Sequence, residues 1–240
     1  MFDPLDNPTW HALMTEHAHL AIFAPAADPK AARYPADVAP VAGLAETTPE
    51  TLAELRNLLV PGEAIWIPAD SPPPVSGLEN SGQLPCLQMI YEGQTEFGAD
   101  DEAGPEAIEK LTAADGPAMV ELTDVAFPGF FRPRTYLMGD YFGVYSENPD
   151  APGGRHLIAM SGNRLALPGR RELSAVVTRP GHTGRGYASR LIHHVLAEHA
   201  AAGLGTFLHV AETNRRAIAL YERLGFVTRR ILILQHLRRS

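Results

Sequence analysis

ELSAVVTRPGHTGRGYASRL, residues 172–191, decides the fold. Its first seven residues, ELSAVVT, are rich in β-branched side chains and read as a strand. A proline and three glycines follow. Then Ala188, Leu191, Ile192, Val195 and Leu196 recur at helical spacing, until Gly203 stops the pattern with a residue that tolerates left-handed backbone. The reading is strand, glycine turn, helix. A turn of this kind at a helix N-terminus presents several unsatisfied backbone N–H groups, and the aligned peptide dipoles add partial positive charge. Gly184 and Gly186 let backbone approach a phosphate with no Cβ in the way, and Arg185 can add a charge-assisted contact. A packed strand-to-helix turn gives the same string. The GxxxxGK[ST] spacing of a Walker loop is absent, and so is the third glycine of a dinucleotide fingerprint.

Downstream, GTFLHVAE reads as a strand. Asn214 opens a helix with Ala217, Leu220, Tyr221 and Leu224 on one stripe and Gly225 as its stop, and FVTRRILILQHL follows as one or two strands. Upstream, DYFGVYSE and RHLIAMSG read as strands joined by NPDAPGG, and Asp115 to Phe127 as a helix limited by Pro117 and Pro128. The acidic EFGADDEAGPEAIEK marks a boundary, giving units 1–104 and 105–240. In the first unit APAADPKAARYPADVAPVAG shows no period. Thr48 can cap a helix with Pro49 in its first turn and Leu52, Leu55, Leu58 and Leu59 as its stripe; EAIWIPA and LPCLQMIYEG are then short strands. Nothing there has catalytic spacing, and no internal repeat is visible.

The bulk properties remove several classes. With 240 residues, 45% of them apolar, the chain can bury a substantial core. A formal charge of -8 argues against nucleic acid as a partner but not against a local phosphate groove. Cys86 is the only cysteine and reads as a small core residue. No signal-like start and no apolar run of about 20 residues is present, so we expect a cytoplasmic protein with no membrane contact. His193, His194 and His199 lack HExxH spacing, and Ser161 and Ser174 lack a GxSxG elbow, so neither a metal nor a serine nucleophile is expected.

With NRRAIALYERLGF, residues 214–226, one strand after the glycine turn, the chain resembles the GNAT (GCN5-related N-acetyltransferase) superfamily, and within it the FR47-like branch. The family pattern R/Q-x-x-G-x-G/A is met at Gly186 and Ala188, with Thr183 where Arg or Gln is usual. The pattern N-x-x-A-x-x-L-Y-x-x-x-G-F is met at Asn214, Ala217, Leu220, Tyr221, Gly225 and Phe226. The resemblance covers about residues 115–239; the first half is only faintly similar to FR47-like and glycine N-acyltransferase-type proteins.

The resemblance implies an α/β (α+β) fold, a mixed and mostly antiparallel sheet flanked by helices, with a degenerate α/β unit ahead of it. It implies that the fourth and fifth strands splay and that pantetheine pairs with the edge of Val176, Val177 and Thr178. The pyrophosphate would sit on Thr183, Gly184, Arg185, Gly186, Tyr187 and Ala188, and Asn214 would touch the pantetheine arm. Tyr221 would protonate the departing sulfur, although its stripe position also suits a core tyrosine. Glu172 is either the base that deprotonates the amine or a strand-end carboxylate paired with Arg170 or Arg171. Val177 or Thr178 would offer the oxyanion N–H. The implied reaction moves acetyl from acetyl-CoA to a primary amine of a small molecule or amino acid, without a metal, and a homodimer is allowed. A non-catalytic acyl-CoA-binding regulatory module and an N-acyltransferase for longer chains are the alternatives.

Overall fold

The structure is a computed structural model, and it describes residues 3–93, 106–150 and 152–240. The expected boundary at 104/105 and most of the acidic stretch lie outside the described residues. In chain order the elements are α1 (Pro8–Met14), β1 (Ile22–Phe23), β2 (Ala31–Arg33), β3 (Ala42–Leu44), α2 (Pro49–Leu58), β4 (Ala64–Pro68), β5 (Leu78–Tyr91) and β6 (Ile108–Leu111). They continue as α3 (Gly116–Asp124), β7 (Tyr141–Glu147), β8 (Arg155–Leu167), β9 (Arg170–Thr178), α4 (Tyr187–Ala201), β10 (Gly205–Ala211), α5 (Arg215–Arg223) and β11 (Phe226–Arg239). Among them no helix is long and apolar enough to cross a membrane.

Eight strands form one sheet in the order β4-β11-β5-β10-β9-β8-β7-β6, and β1-β2-β3 form a small second sheet. Every neighbouring pair in the large sheet is antiparallel except β9 and β10, which run parallel. The fold class is therefore the mixed, mostly antiparallel α/β arrangement expected. Strands from both sides of the expected boundary share this sheet: β5 lies between β10 and β11, paired with each.

Local chemistry explains the helices. Thr48 caps α2 by accepting from the Thr51 N–H at 3.3 Å, Pro49 follows it, and Leu52 and Leu55 are buried. The strand period explains the two cores. Successive side chains of β10 point to opposite faces, so Phe207 joins a cluster with Leu5, Leu13 and Leu165 under α1, while Leu208 joins Leu191, Ile192 and Val195 of α4 on the other face. Both faces of the central strands are thus covered, and a polar side chain on them is enclosed.

Candidate active site

β9 and β10 are in register only at Gly205↔Arg170, Thr206↔Arg171 and Phe207↔Glu172. Beyond those pairs Ser174, Ala175 and Val176 on one strand, and His209, Val210 and Ala211 on the other, line a cavity of about 170 Å³. The cause of the parting is in β9. Ala175 has φ +53°, and two steps along β8, Met160 to Gly162, match three along β9, Val177 to Ser174. The extra residue is a bulge, which bends its strand and leaves an alanine in a conformation that non-glycine residues rarely adopt.

The bulge sets which amides are free. The Arg179 N–H donates to the Ile158 carbonyl at 2.7 Å, and the register is regular through Ala159↔Thr178 and Met160↔Val177. Amides alternate in direction along a strand, so Val177 spends its N–H on β8 while Thr178 presents its own to the gap. This corrects the expectation for Val177: Thr178 remains as the candidate oxyanion donor, and Val176 contributes cavity wall.

At the far end of β9 the glycine turn has the form the sequence calls for. Gly181, Gly184 and Gly186 have φ of 87°, 81° and 80°, values at which a side chain is strained. Thr183 to Gly186 are exposed, and Gly186 is the N-cap of the 15-residue α4, with no side chain capping it. The first-turn amides of Tyr187 and Ala188 are open to an anion in the way helix N-termini commonly bind phosphate. Tyr187 offers only backbone, because its side chain is buried and its hydroxyl donates to Glu106 at 3.1 Å.

Glu172 does not have the environment of a base. It is fully buried on β9. Arg164 donates to it twice, from Nε at 2.9 Å and from Nη2 at 2.6 Å. The Leu165 N–H donates at 3.1 Å, and His209 Nδ1 lies at 2.7 Å. Burial alone would raise its proton affinity, but the Arg164 charge and hydrogen bonds outweigh burial, with help from His209. The carboxyl is held well below the usual carboxylate range. The paired-carboxylate reading is therefore the one the structure supports, and the partner is Arg164 across the β8–β9 hairpin rather than Arg170 or Arg171.

The pair belongs to a longer row. Gln88 Oε1 accepts from Arg229 at 2.8 Å, so its amide nitrogen faces His209 Nε2 at 3.1 Å. That leaves His209 as an acceptor at Nε2 and a donor at Nδ1, toward Glu172. Arg164, Glu172, His209, Gln88 and Arg229 thus link β8, β9, β10, β5 and β11 in spatial order, and Arg229 reaches Asp6 at 2.6 Å. The Glu172–His209 bond crosses between β9 and β10 where their backbone pairing ends, and it fixes the mouth of the gap.

α5 closes the cavity with Asn214, Ala217 and Tyr221. Asn214 caps that helix by accepting from the Ala217 N–H at 3.2 Å. Tyr221 is buried, its ring edge-on to Phe226, and burial pushes its hydroxyl well above the ordinary tyrosine value, so it is protonated at neutral pH. It is both a core residue and a cavity wall, so its two sequence readings are compatible. Arg164, Tyr141, Phe130, Phe131, Leu84 and Cys86 line the same cavity. Burial raises the Cys86 thiol to about 11, which makes it a wall rather than a nucleophile. Sequence reasoning singles out neither Arg164, Tyr141 nor His209, since each sits in a strand with no motif around it. Among the described residues no three His, Cys, Asp or Glu side chains gather as a metal site.

A sheet that parts at a bulge, with a glycine turn at the end of one strand and a helix across the gap, defines an acyl-transfer type of fold. The comparisons make it particular. A family model described as FR47-like protein matches residues 153–233, from the start of β8 into β11. A candidate acetyltransferase of the GNAT family from Novosphingobium aromaticivorans is 32% identical, with both chains covered in full and a TM-score of 0.82. The chain belongs to the GNAT family. A GCN5-related N-acetyltransferase from Kribbella flavida shares the fold at 14% identity, with TM-score 0.58 and coverage of 95% and 93%. No curated protein matches in sequence.

Proposed function

We propose that the protein transfers an acetyl group from acetyl-CoA to a primary amine of a small molecule. The observation that carries this reading is the continuity of one cavity. Its wall joins Asn214 and Tyr221 of α5, the parted edges of β9 and β10, and Arg164 and Tyr141 of β8 and β7. Donor and acceptor would meet where those strands part.

The residues divide the work. The amides of the Thr183–Ala188 turn and the α4 N-terminus hold the pyrophosphate, with Arg185 adding charge. Thr178 N–H donates to the thioester oxygen as charge develops there. Tyr221 donates a proton to the departing sulfur. Glu172 and His209 hold the gap at its width, and the carboxylate, held low by Arg164, takes no proton from the amine, which loses it to solvent. The test is mass spectrometry of products from a pooled amine and amino-acid screen with acetyl-CoA, with calorimetry of acetyl-CoA alongside. Saturable binding with an acetylated product is expected. Absence of both at high micromolar donor would remove the proposal, and binding without any product would favour the non-catalytic CoA-binding reading.

A further inference from the structure

Resting on the transfer reading above, we infer that the acceptor is an amino acid whose carboxylate docks on Tyr141 and Arg164. The Tyr141 hydroxyl is the first reason. Its residue is 1% exposed and lines the cavity, yet the hydroxyl has no hydrogen-bond partner among the described residues. Buried hydroxyls are nearly always satisfied, so an orphan on a residue that lines a cavity marks a place where a ligand atom belongs.

Arg164 supplies the second reason. Its Nε and Nη2 are committed to Glu172, but Nη1 has no partner among the described residues, and the guanidinium lies 5.3 Å from the centre of the Phe130 ring. Arg164 lines the cavity, whereas its counter-ion Glu172 is fully buried behind it and does not. Of the hydroxyl residues on the wall, Thr123, Thr135, Tyr141, Ser174 and Tyr221, only Tyr141 has a buried oxygen with no partner among the described residues; the wall also carries the Arg164 guanidinium, and no acidic side chain among the described residues lines it. A polycationic amine would find no counter-charge there. A carboxylate would find two donors, one of them the uncommitted Nη1 of a guanidinium. Phe130, Phe131, Leu84 and Leu234 add apolar wall, which suits an apolar side chain. The nitrogen reacts as the free amine, its ammonium having lost a proton to water; it bonds to the acetyl carbon as the C–S bond breaks, gives a second proton to water, and the sulfur takes one from Tyr221, which regains it from water.

The test compares each of a panel of apolar L-amino acids with the amine that lacks only its carboxyl group, measuring free-thiol release from acetyl-CoA. We expect kcat/KM to be at least about 10-fold higher for amino acids, the scale of a hydrogen bond to a charged group. Tyr141→Phe should cut that preference by roughly 10-fold, through KM, while leaving the thermal midpoint equal or higher because the orphan hydroxyl is gone. Matched amines that react as well as amino acids, or an unchanged preference in Tyr141→Phe, would overturn the assignment and leave the transfer reading standing. A second arm needs no turnover: calorimetry of N-acetyl amino acids against N-acetyl amines on the CoA-loaded protein. Selective binding of the carboxylates without turnover in any arm would keep the carboxylate site and remove the transfer reading. Neither binding nor turnover would remove both.

Discussion

Glu172→Gln separates a structural carboxylate from a catalytic one. The substitution keeps shape and deletes one charge. Arg164 has a side chain only 17% exposed, and it would then keep its guanidinium in a nearly closed environment with no counter-charge. Breaking a buried pair from one side typically costs about 3–5 kcal/mol, because the stranded charge pays the desolvation that its partner offset. For a chain of 240 residues, with 1 kcal/mol shifting Tm by about 2–4 °C, the midpoint should fall by roughly 6–20 °C at pH 7. The sign with pH follows from the depressed carboxyl. A group whose folded affinity for protons is below its unfolded affinity stabilises above its unfolded value near 4.5 and loses that contribution as pH falls. The gap between wild type and variant should therefore be full at pH 7 and narrow below about pH 4.5. Thermal melts at pH 7, 5 and 4 measure it, and Arg164→Met with Glu172→Leu closes the cycle: removing both charges should recover most of the loss. A variant that melts with wild type at pH 7, yet loses turnover and regains it at higher pH, would refute the pairing argument and restore Glu172 as a base.

Calorimetry in the presence of chelator should show saturable acetyl-CoA binding with no need for a divalent ion. Gly186→Glu should abolish that binding in a folded protein: φ is +80° there, and a carboxylate would oppose the pyrophosphate. Burial holds the buried imidazoles of His17 and His199 down to about 4, so both fold as neutral rings. Unfolded they take up protons below about 6.5, so stability should decline between roughly pH 6.5 and 4, and a His17→Asn, His199→Asn variant should show a shallower decline in urea melts.

How much of this was legible depended on how local each signal is. The glycine turn and α5 are written in short strings, because phosphate approach and a helix face each constrain neighbouring positions; Gly184, Gly186, Asn214, Ala217 and Tyr221 stand where those strings put them. α2 was readable from its Thr-Pro start. Glu172 was readable as a charged residue in a strand, but its partner was not. Residues adjacent in sequence, Arg170 and Arg171, were the natural candidates, whereas the actual partner is fixed by a hairpin register that contains a further irregularity between Asn163 and Ala166. β5 lies between β10 and β11, a pairing across more than a hundred residues that leaves no local trace. β1, β2 and β3 have two or three residues each, too few to display an alternation, and so vanished into a stretch without a period. Tyr141 and His209 occupy strands whose patterns report burial only.

Tyr221→Phe tests the chemistry itself, and the geometry makes it a clean change. The ring packs edge-on against Phe226 with centroids 5.7 Å apart, and α5 is capped by Asn214 rather than by this hydroxyl. Removing the oxygen therefore leaves the helix stripe intact, and acetyl-CoA affinity should stay close to wild type. The hydroxyl is raised by burial, so it holds its proton over the whole neutral range and is present as a donor beside the departing sulfur. Loss of such a donor typically costs about 10²–10⁴-fold in the chemical step. Slow product release would hide part of that in steady state, so single-turnover rates are the quantity to compare. The loss should persist at high pH, because a neutral amine does nothing for the sulfur. A variant with wild-type single-turnover rates would leave Tyr221 as a wall residue, and the sulfur would then have to take its proton from water entering along the parted strands.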